Sequence, residues 1–212
     1  MPTGVALPDA RGQLFAAAER VLARDGVSGL TSRAVTAEAG CAKGVLHRHF
    51  ADFDAFLAAL VLDRIARLQA DAEALLVTAG TATVVGNLAA ALPALLSPVA
   101  VAMVALIITR DGLWARLRAG GHTGLPLIGE ATTAVAAYLR AERRCGRLDP
   151  DADVEALAPT LIGAAHLLLT DREAGPPDEE AIGRVVAAVV GRPVSPGVSP
   201  GSGPDGWAER PD

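Results

Sequence analysis

The residues best suited to chemistry lie between positions 31 and 50. Lys43 is the only lysine in the chain, and Arg48 follows it five residues later; the other basic residues are all arginine. Thr31, Ser32 and Arg33 stand just ahead of them, and His47 lies between them. Hydroxyls, a lysine, an arginine and an imidazole in this arrangement form no nucleophile–base pair. They suit reversible contact with a polyanion, in which cations and hydroxyls hold phosphates and neighbouring groups reach base edges.

Such groups need a rigid mount. The spacing predicts a helix from Thr31, a good N-cap residue, to Ala39, a turn at Gly40-Cys41-Ala42, and a second helix from Lys43 to His49. Val35, Ala39 and Leu46 then form the small core between the two, and Gly40 supplies the tight turn. Thr31, Ser32, Lys43, His47 and Arg48 are left facing outward, and Gly44 lets the second helix approach a ligand closely. Two short helices around a glycine turn make a helix-turn-helix, a reader of duplex DNA. His49 is expected to pack or hydrogen-bond where this hairpin meets the next helix, and Cys41 reads as a small turn residue.

The surrounding pattern is helical throughout, so the fold class expected is all-α. A first helix over 9–24 carries Leu14, Phe15, Ala18, Val21 and Leu22 on one face and stops at Asp25-Gly26. A long fourth helix, capped by Asp52 and running to Val77, buries Phe53, Phe56, Leu57, Leu60, Ile65, Leu68 and Leu75. Five more are expected over 81–96, 98–118, 125–144, 151–172 and 178–191, with Pro93 and Pro159 as sources of bends. The domains expected are a DNA-binding unit over 1–51, a ligand-binding and dimerisation unit over 52–192, and a Pro/Gly-rich disordered tail over 193–212.

Composition narrows the classes. A net charge of -5 argues against a general nucleic-acid coat, yet residues 1–50 carry six basic against four acidic residues. Cys41 and Cys145 show no metal-ligand spacing, so neither a metal site nor a cofactor is expected, and a reducing cytoplasm fits. No charge occurs between Glu73 and Arg110, but glycines and prolines interrupt that stretch, and no membrane span is expected.

At the hairpin the chain resembles the TetR family of bacterial transcriptional regulators. The run Val35-Thr-Ala-Glu-Ala-Gly-Cys-Ala-Lys-Gly-Val-Leu-His-Arg-His-Phe50 follows the family's Ile-Ala-x-x-Ala-Gly-Val-Ser-Lys-Gly-x-Leu-Tyr-x-His-Phe pattern. The resemblance covers roughly residues 10–60 and implies a homodimer whose larger half binds a ligand and whose last two long helices form the interface. It also implies that Thr31, Lys43 and Gly44 touch the DNA backbone, with Val45, His47 and Arg48 on the recognition face. The DNA-contacting set is then Thr31, Ser32, Arg33, Ala42, Lys43, Gly44, Val45, His47 and Arg48.

This chain departs from the pattern at several points. Ala42 replaces the capping Ser, Thr36 a small Ala, His47 a Tyr, and Phe53 a Lys. No basic residue occurs in positions 1–10. These changes imply fewer charge contacts and a shallower salt dependence than in a more basic relative.

In the larger half, apolar residues recur on several helix faces and either line a cavity or fill the core. Leu88, Met103, Ile107, Trp114, Tyr138 and His166 are the candidate ligand contacts, and sparse polar groups suit a small apolar or weakly polar organic ligand. Leu161, Ala165, Leu168, Val185, Val186 and Val189 lie on apolar faces that a four-helix interface between two subunits would bury.

The function expected is a ligand-responsive regulator, a repressor, binding a palindromic duplex DNA operator as a homodimer and released by its ligand. The alternative is a dimeric helical module without DNA recognition, acting through protein partners. An enzyme is not expected: Asp171 lies about 140° round a helix from His166, His122 and Glu130 are the only other pair, and no nucleophile elbow, phosphate loop or metal motif is present.

Overall fold

The computed structural model describes residues 9–170 and 177–191, and among them there is no strand. The order is α1 (Ala10–Gly29), α2 (Ser32–Glu38), α3 (Gly44–His49), α4 (Phe53–Val77), α5 (Val84–Leu95), α6 (Pro98–Thr109), α7 (Asp111–Ala119), α8 (Ile128–Arg144), α9 (Val154–Thr170) and α10 (Glu179–Val190). The tail expected over 193–212 and the last two residues of the helix expected over 151–172 lie outside the described residues.

Local chemistry sets most of the helix starts. Thr31 Oγ1 accepts the Ala34 N–H at 3.1 Å, Asp52 Oδ1 that of Ala55 at 2.8 Å, and Asp178 Oδ1 that of Ala181 at 2.7 Å. Each satisfies a backbone donor that has no partner inside its helix. The expected stop at Asp25-Gly26 is instead a kink: Gly26 takes φ 69°, and the helix resumes to Gly29.

The single helix expected over 98–118 is two. At Arg110 the backbone is extended (φ -126°, ψ 97°), which separates α6 from α7. This break lets the Arg110 guanidinium meet Asp54 of α4 at 2.7 Å. Gly112 lies beside this pair: a Cβ there would stand 2.5 Å from Asp54 Oδ2, and the carboxylate would have to turn away. No such partner is visible in the local pattern, which is helical on both sides. A second bend, of 55°, separates α5 from α6, with Pro93 in the last turn of one and Pro98 opening the other. No single helix among the described residues is long and apolar enough to cross a membrane.

The long α4 is the shared wall of the fold. It buries Phe56, Leu57, Leu60, Val61, Ile65, Leu68 and Leu75 and packs on α5, α7 and α8. The α1 helix packs on α2 and, on another side, on α6. The α8, α9 and α10 helices form a layer in which α9 touches both neighbours and α10 also rests on α5.

A buried polar knot joins α8 to the α4–α5 turn. Glu142 has no exposed surface. Its Oε1 accepts the Tyr138 hydroxyl at 2.5 Å, while Oε2 accepts the Gly80 N–H at 3.3 Å and faces Arg147 Nε at 3.2 Å. Asn87 donates to the Tyr138 oxygen at 3.0 Å and to the Thr78 and Thr81 carbonyls. Desolvation, helped by the neighbouring carboxylate, pushes the Tyr138 phenol well above its ordinary value, so it stays a donor. Tyr138→Phe removes one partner of a buried carboxylate and should cost about 1–3 kcal/mol. Chemical denaturation of the full chain, with helicity unchanged in water, checks this.

Candidate functional site

The helix-turn-helix is built as its residue types require. Val35 and Leu46 are fully buried between α2 and α3, and Ala39 packs beside them. Gly40 takes φ 64° at the turn, and the Cys41 N–H closes it on the Thr36 carbonyl at 3.0 Å. Thr36 is buried, but its hydroxyl donates to the Ser32 and Arg33 carbonyls at 2.9 and 3.2 Å. A β-branched residue therefore sits in the helix contact with its polar atom satisfied. Cys41 is half-buried and burial pushes its thiol up, which suits a turn residue.

Around this core Thr31, Arg33, Ala42, Lys43, Gly44, His47 and Arg48 are exposed. Val45 is half-buried against the core, so it is only partly on the outer face. Ser32 is also half-buried, and its hydroxyl oxygen is enclosed without a hydrogen-bond partner. Lys43 occupies the N-cap position of α3 and makes no capping bond, in keeping with Ala42 ahead of it. His49 is exposed instead of packing at the α3–α4 junction, because Phe50 takes that place and is buried.

Ion pairs decide which cations remain available. Glu38 takes Arg20 at 2.7 Å and Arg24 at 2.8 Å, and Arg24 also meets Asp25 at 2.9 Å. Arg67 is held by Glu19 and by Asp63 at 2.7 Å. Arg11 lies over the Phe50 ring, 5.0 Å from its centroid. Among the described residues Arg33, Lys43 and Arg48 enter no ion pair, and all three are exposed on the hairpin.

The start of α4 links this face to the larger half. Phe53 stacks on Phe56 at 5.7 Å and lies beneath Arg110, whose guanidinium carbon is 5.6 Å from its ring centroid. Asp54 pairs with Arg110, and Asp52 with Arg116 of α7. The position where a lysine would reach DNA is thus spent on packing and on a tie between α4 and the α6–α7 junction.

Behind that tie lies a cleft of about 690 Å³ between α4, the α7–α8 loop and α8, bordered by Leu68, Ala72, Glu73, His122, Glu130 and Thr133 among others. Just ahead of α8, Leu127 takes a φ of 71°, unusual for a side chain of this size. The Glu130 carboxylate accepts the Leu127 N–H at 2.5 Å, and its other oxygen lies 3.9 Å from His122 Nδ1.

None of the six residues expected to meet a ligand borders this cleft. Leu88, Met103, Ile107 and Tyr138 have no exposed surface and belong to the core; Trp114 and His166 are half-buried. Helical periodicity cannot distinguish a wall of a cavity from a filler of the core, and here tight packing favours the second for these four.

The six expected interface residues show a similar shift. Leu161, Ala165 and Val186 are buried inside the subunit, and Leu168, Val185 and Val189 are half-buried against its core. The faces they form are used by α9 and α10 against each other and against α5 and α8. The outward face of α9 carries Thr160, Gly163 and Leu167 instead, with Leu167 73% exposed.

Residues 14–60, which span α1 to the first turns of α4, match the family model of the bacterial regulatory proteins of the tetR family. Over these residues the chain carries the N-terminal module of the TetR family. Solved structures agree over most of its length. A transcriptional regulator from Rhodococcus sp. Rha1 superposes with a TM-score of 0.64 at 22% identity, covering 85% of this chain and 95% of that one. A TetR-family member from Streptomyces coelicolor A3 gives 0.62 at 22% identity, covering 86% and 99%. The multidrug binding protein EbrR, complexed with imidazole, gives 0.58 at 26% identity, covering 87% and 96%. No curated protein matches this sequence. The helix-turn-helix accordingly lies within the segment that matches the bacterial regulatory proteins of the tetR family.

The Glu38 hub has a pH signature. Hydrogen bonds from Arg20 and Arg24 hold its carboxyl below the ordinary value of 4.5. A depressed pKa stabilises the fold above the ordinary carboxylate range and stops doing so as pH falls through the depressed value. Thermal melts should therefore show Glu38→Gln less stable than wild type at neutral pH, with the gap closing on acidification below about pH 4. A gap independent of pH would mean that the hub acts through packing alone.

Proposed function

We propose that this chain is a TetR-family regulator, a ligand-responsive repressor that binds a palindromic duplex DNA operator as a homodimer in the cytoplasm. One observation carries the DNA contact: Arg33, Lys43 and Arg48 are all exposed on the hairpin with no internal carboxylate to neutralise them. Thr31, Ser32, Ala42, Gly44, Val45 and His47 complete the contacting set, with α3 in the major groove and the cations on phosphates. Two copies would place their α3 helices about 34–36 Å apart, one helical turn of DNA.

The dimer reading rests on the outward side of α9 and α10. Leu167, Gly163 and Thr160 on α9, with Ala187 and Ala188 on α10, give a surface of small and apolar groups that lets helices approach closely. The interface residues expected from sequence then act from beneath, as the packed layer that holds this surface.

For the ligand, support comes from the cleft between α4 and α8, which opens on the same helix that carries the hairpin. EbrR, a multidrug binding protein, is known with imidazole and with malachite green, which supports an organic ligand with apolar surface. Ligand and operator then weaken each other's binding by linkage through α4. Phe53, standing where the family pattern has a lysine, packs beneath Arg110, which gives the replacement a role in the fold.

Lys43→Ala should weaken binding to DNA broadly and lower the slope of log affinity against log salt by about one per subunit. The DNA is obtained by selection from a random duplex pool. Failure of the wild type to enrich any sequence would sink the regulator reading, and an unchanged slope would remove Lys43 from the phosphates. Leu167→Glu should shift the full chain from dimer to monomer in sedimentation; a wild-type monomer at micromolar concentration would refute the interface.

A further inference from the structure

We infer that the cleft between α4 and α8 takes an organic cation with an apolar body. The inference rests on the reading of the larger half as ligand-responsive and names the class of ligand. Its walls carry two carboxylates, Glu73 on α4 and Glu130 on α8, and none of its thirteen lining residues is lysine or arginine. Glu73 enters no ion pair among the described residues. Glu130 spends one oxygen on the Leu127 N–H and leaves the other 3.9 Å from His122, beyond hydrogen-bond reach.

Beside the carboxylates and the polar Gln69, His122, Thr123 and Thr133, part of the wall is apolar. Leu68, Ala72, Ala134 and Ala137 line it, and Leu76, 42% exposed, lines it as well. An anion would meet two like charges there, and a neutral ligand would screen Glu73 from water without replacing its hydration. A bare metal ion does not fit, since no group of three or more His, Cys, Asp or Glu able to hold one occurs among the described residues. A cation whose charge is carried by a carbon framework satisfies both the carboxylates and the apolar wall. The volume of about 690 Å³ is ample for a drug-sized molecule.

The test uses tetraphenylphosphonium and tetraphenylborate, which share a shape and differ in the sign of charge. Calorimetry on the full chain should show saturable phosphonium binding and borate binding at least tenfold weaker. Glu73→Gln and Glu130→Gln should each reduce phosphonium affinity roughly fivefold. Gln at position 130 keeps an oxygen for the Leu127 N–H, and Glu73 is exposed, so both variants should keep wild-type helicity. Thr133→Trp, which fills the cleft, should abolish binding. Absent phosphonium binding, equal affinity for the borate, or unchanged affinity in both Gln variants overturns the assignment. DNA selection run in parallel separates the two ideas: operator binding without phosphonium binding overturns only the cation, and phosphonium binding without any DNA enrichment overturns only the regulator reading.

Discussion

All four phenylalanines of the chain meet in one cluster, and the orientation of the hairpin depends on it. Phe50 packs edge-on against Phe56 at 5.1 Å, Phe15 joins both within about 6 Å, and Phe53 stacks on Phe56 from the other side. The α2 and α3 helices are seven and six residues long, too short to be stable alone. Val35 and Leu46 hold them to each other, but Phe50, one residue beyond α3, holds the pair to α1 and α4. Edge-to-face rings fix angles as well as distances, so the cluster also sets how α3 projects from the molecule.

Charge is distributed with the same economy. Arginine rather than lysine serves every internal tie, where a planar fork can grip a carboxylate through two nitrogens, as Arg110 does on Asp54 Oδ1 through Nε and Nη2. Glu38 pairs with Arg20 and Arg24 at the surface and braces α1 against α2. The hairpin is thereby stiffened while its count of available cations falls to three, which gives a physical basis for a modest electrostatic contribution to binding. Lys43, a compact charge on a flexible stem and outside all these ties, is well suited to a phosphate whose position the fold does not specify in advance.

The α4 helix carries both proposed sites. Phe53 and Asp54 at its start belong to the hairpin's support, and Leu68 to Leu76 line the cleft near its other end. Some fifteen to twenty residues of helix separate them, on the order of 25 Å at 1.5 Å per residue. In the proposed reading, a ligand that shifts α4 against α8 shifts the Asp52 and Asp54 pairs with α7 and the α6–α7 junction at the same time. Because these pairs are ionic and half-exposed, they can rearrange at small cost, unlike the buried Glu142 knot that anchors the far end of α8.

Much of this was legible in the chain itself. Alternating apolar positions, capping residues and glycines are local signals, so the all-helical class, the starts of α2, α4 and α10, the turn at Gly40 and the pairing of Val35 with Leu46 follow from sequence order alone. Position 43 could likewise be assigned to an exposed helix start. What neighbours in space decide was not legible. The break at Arg110 goes with a partner, Asp54, that lies 56 residues earlier in the chain. Leu88, Met103, Ile107 and Tyr138 became core, and Leu161, Ala165 and Val186 an inner layer, because a helix face has no sign of its own. Periodicity tells that a face is apolar, while packing against α4, α5 and α8 decides whether it meets another helix of the same chain, a ligand or a second subunit.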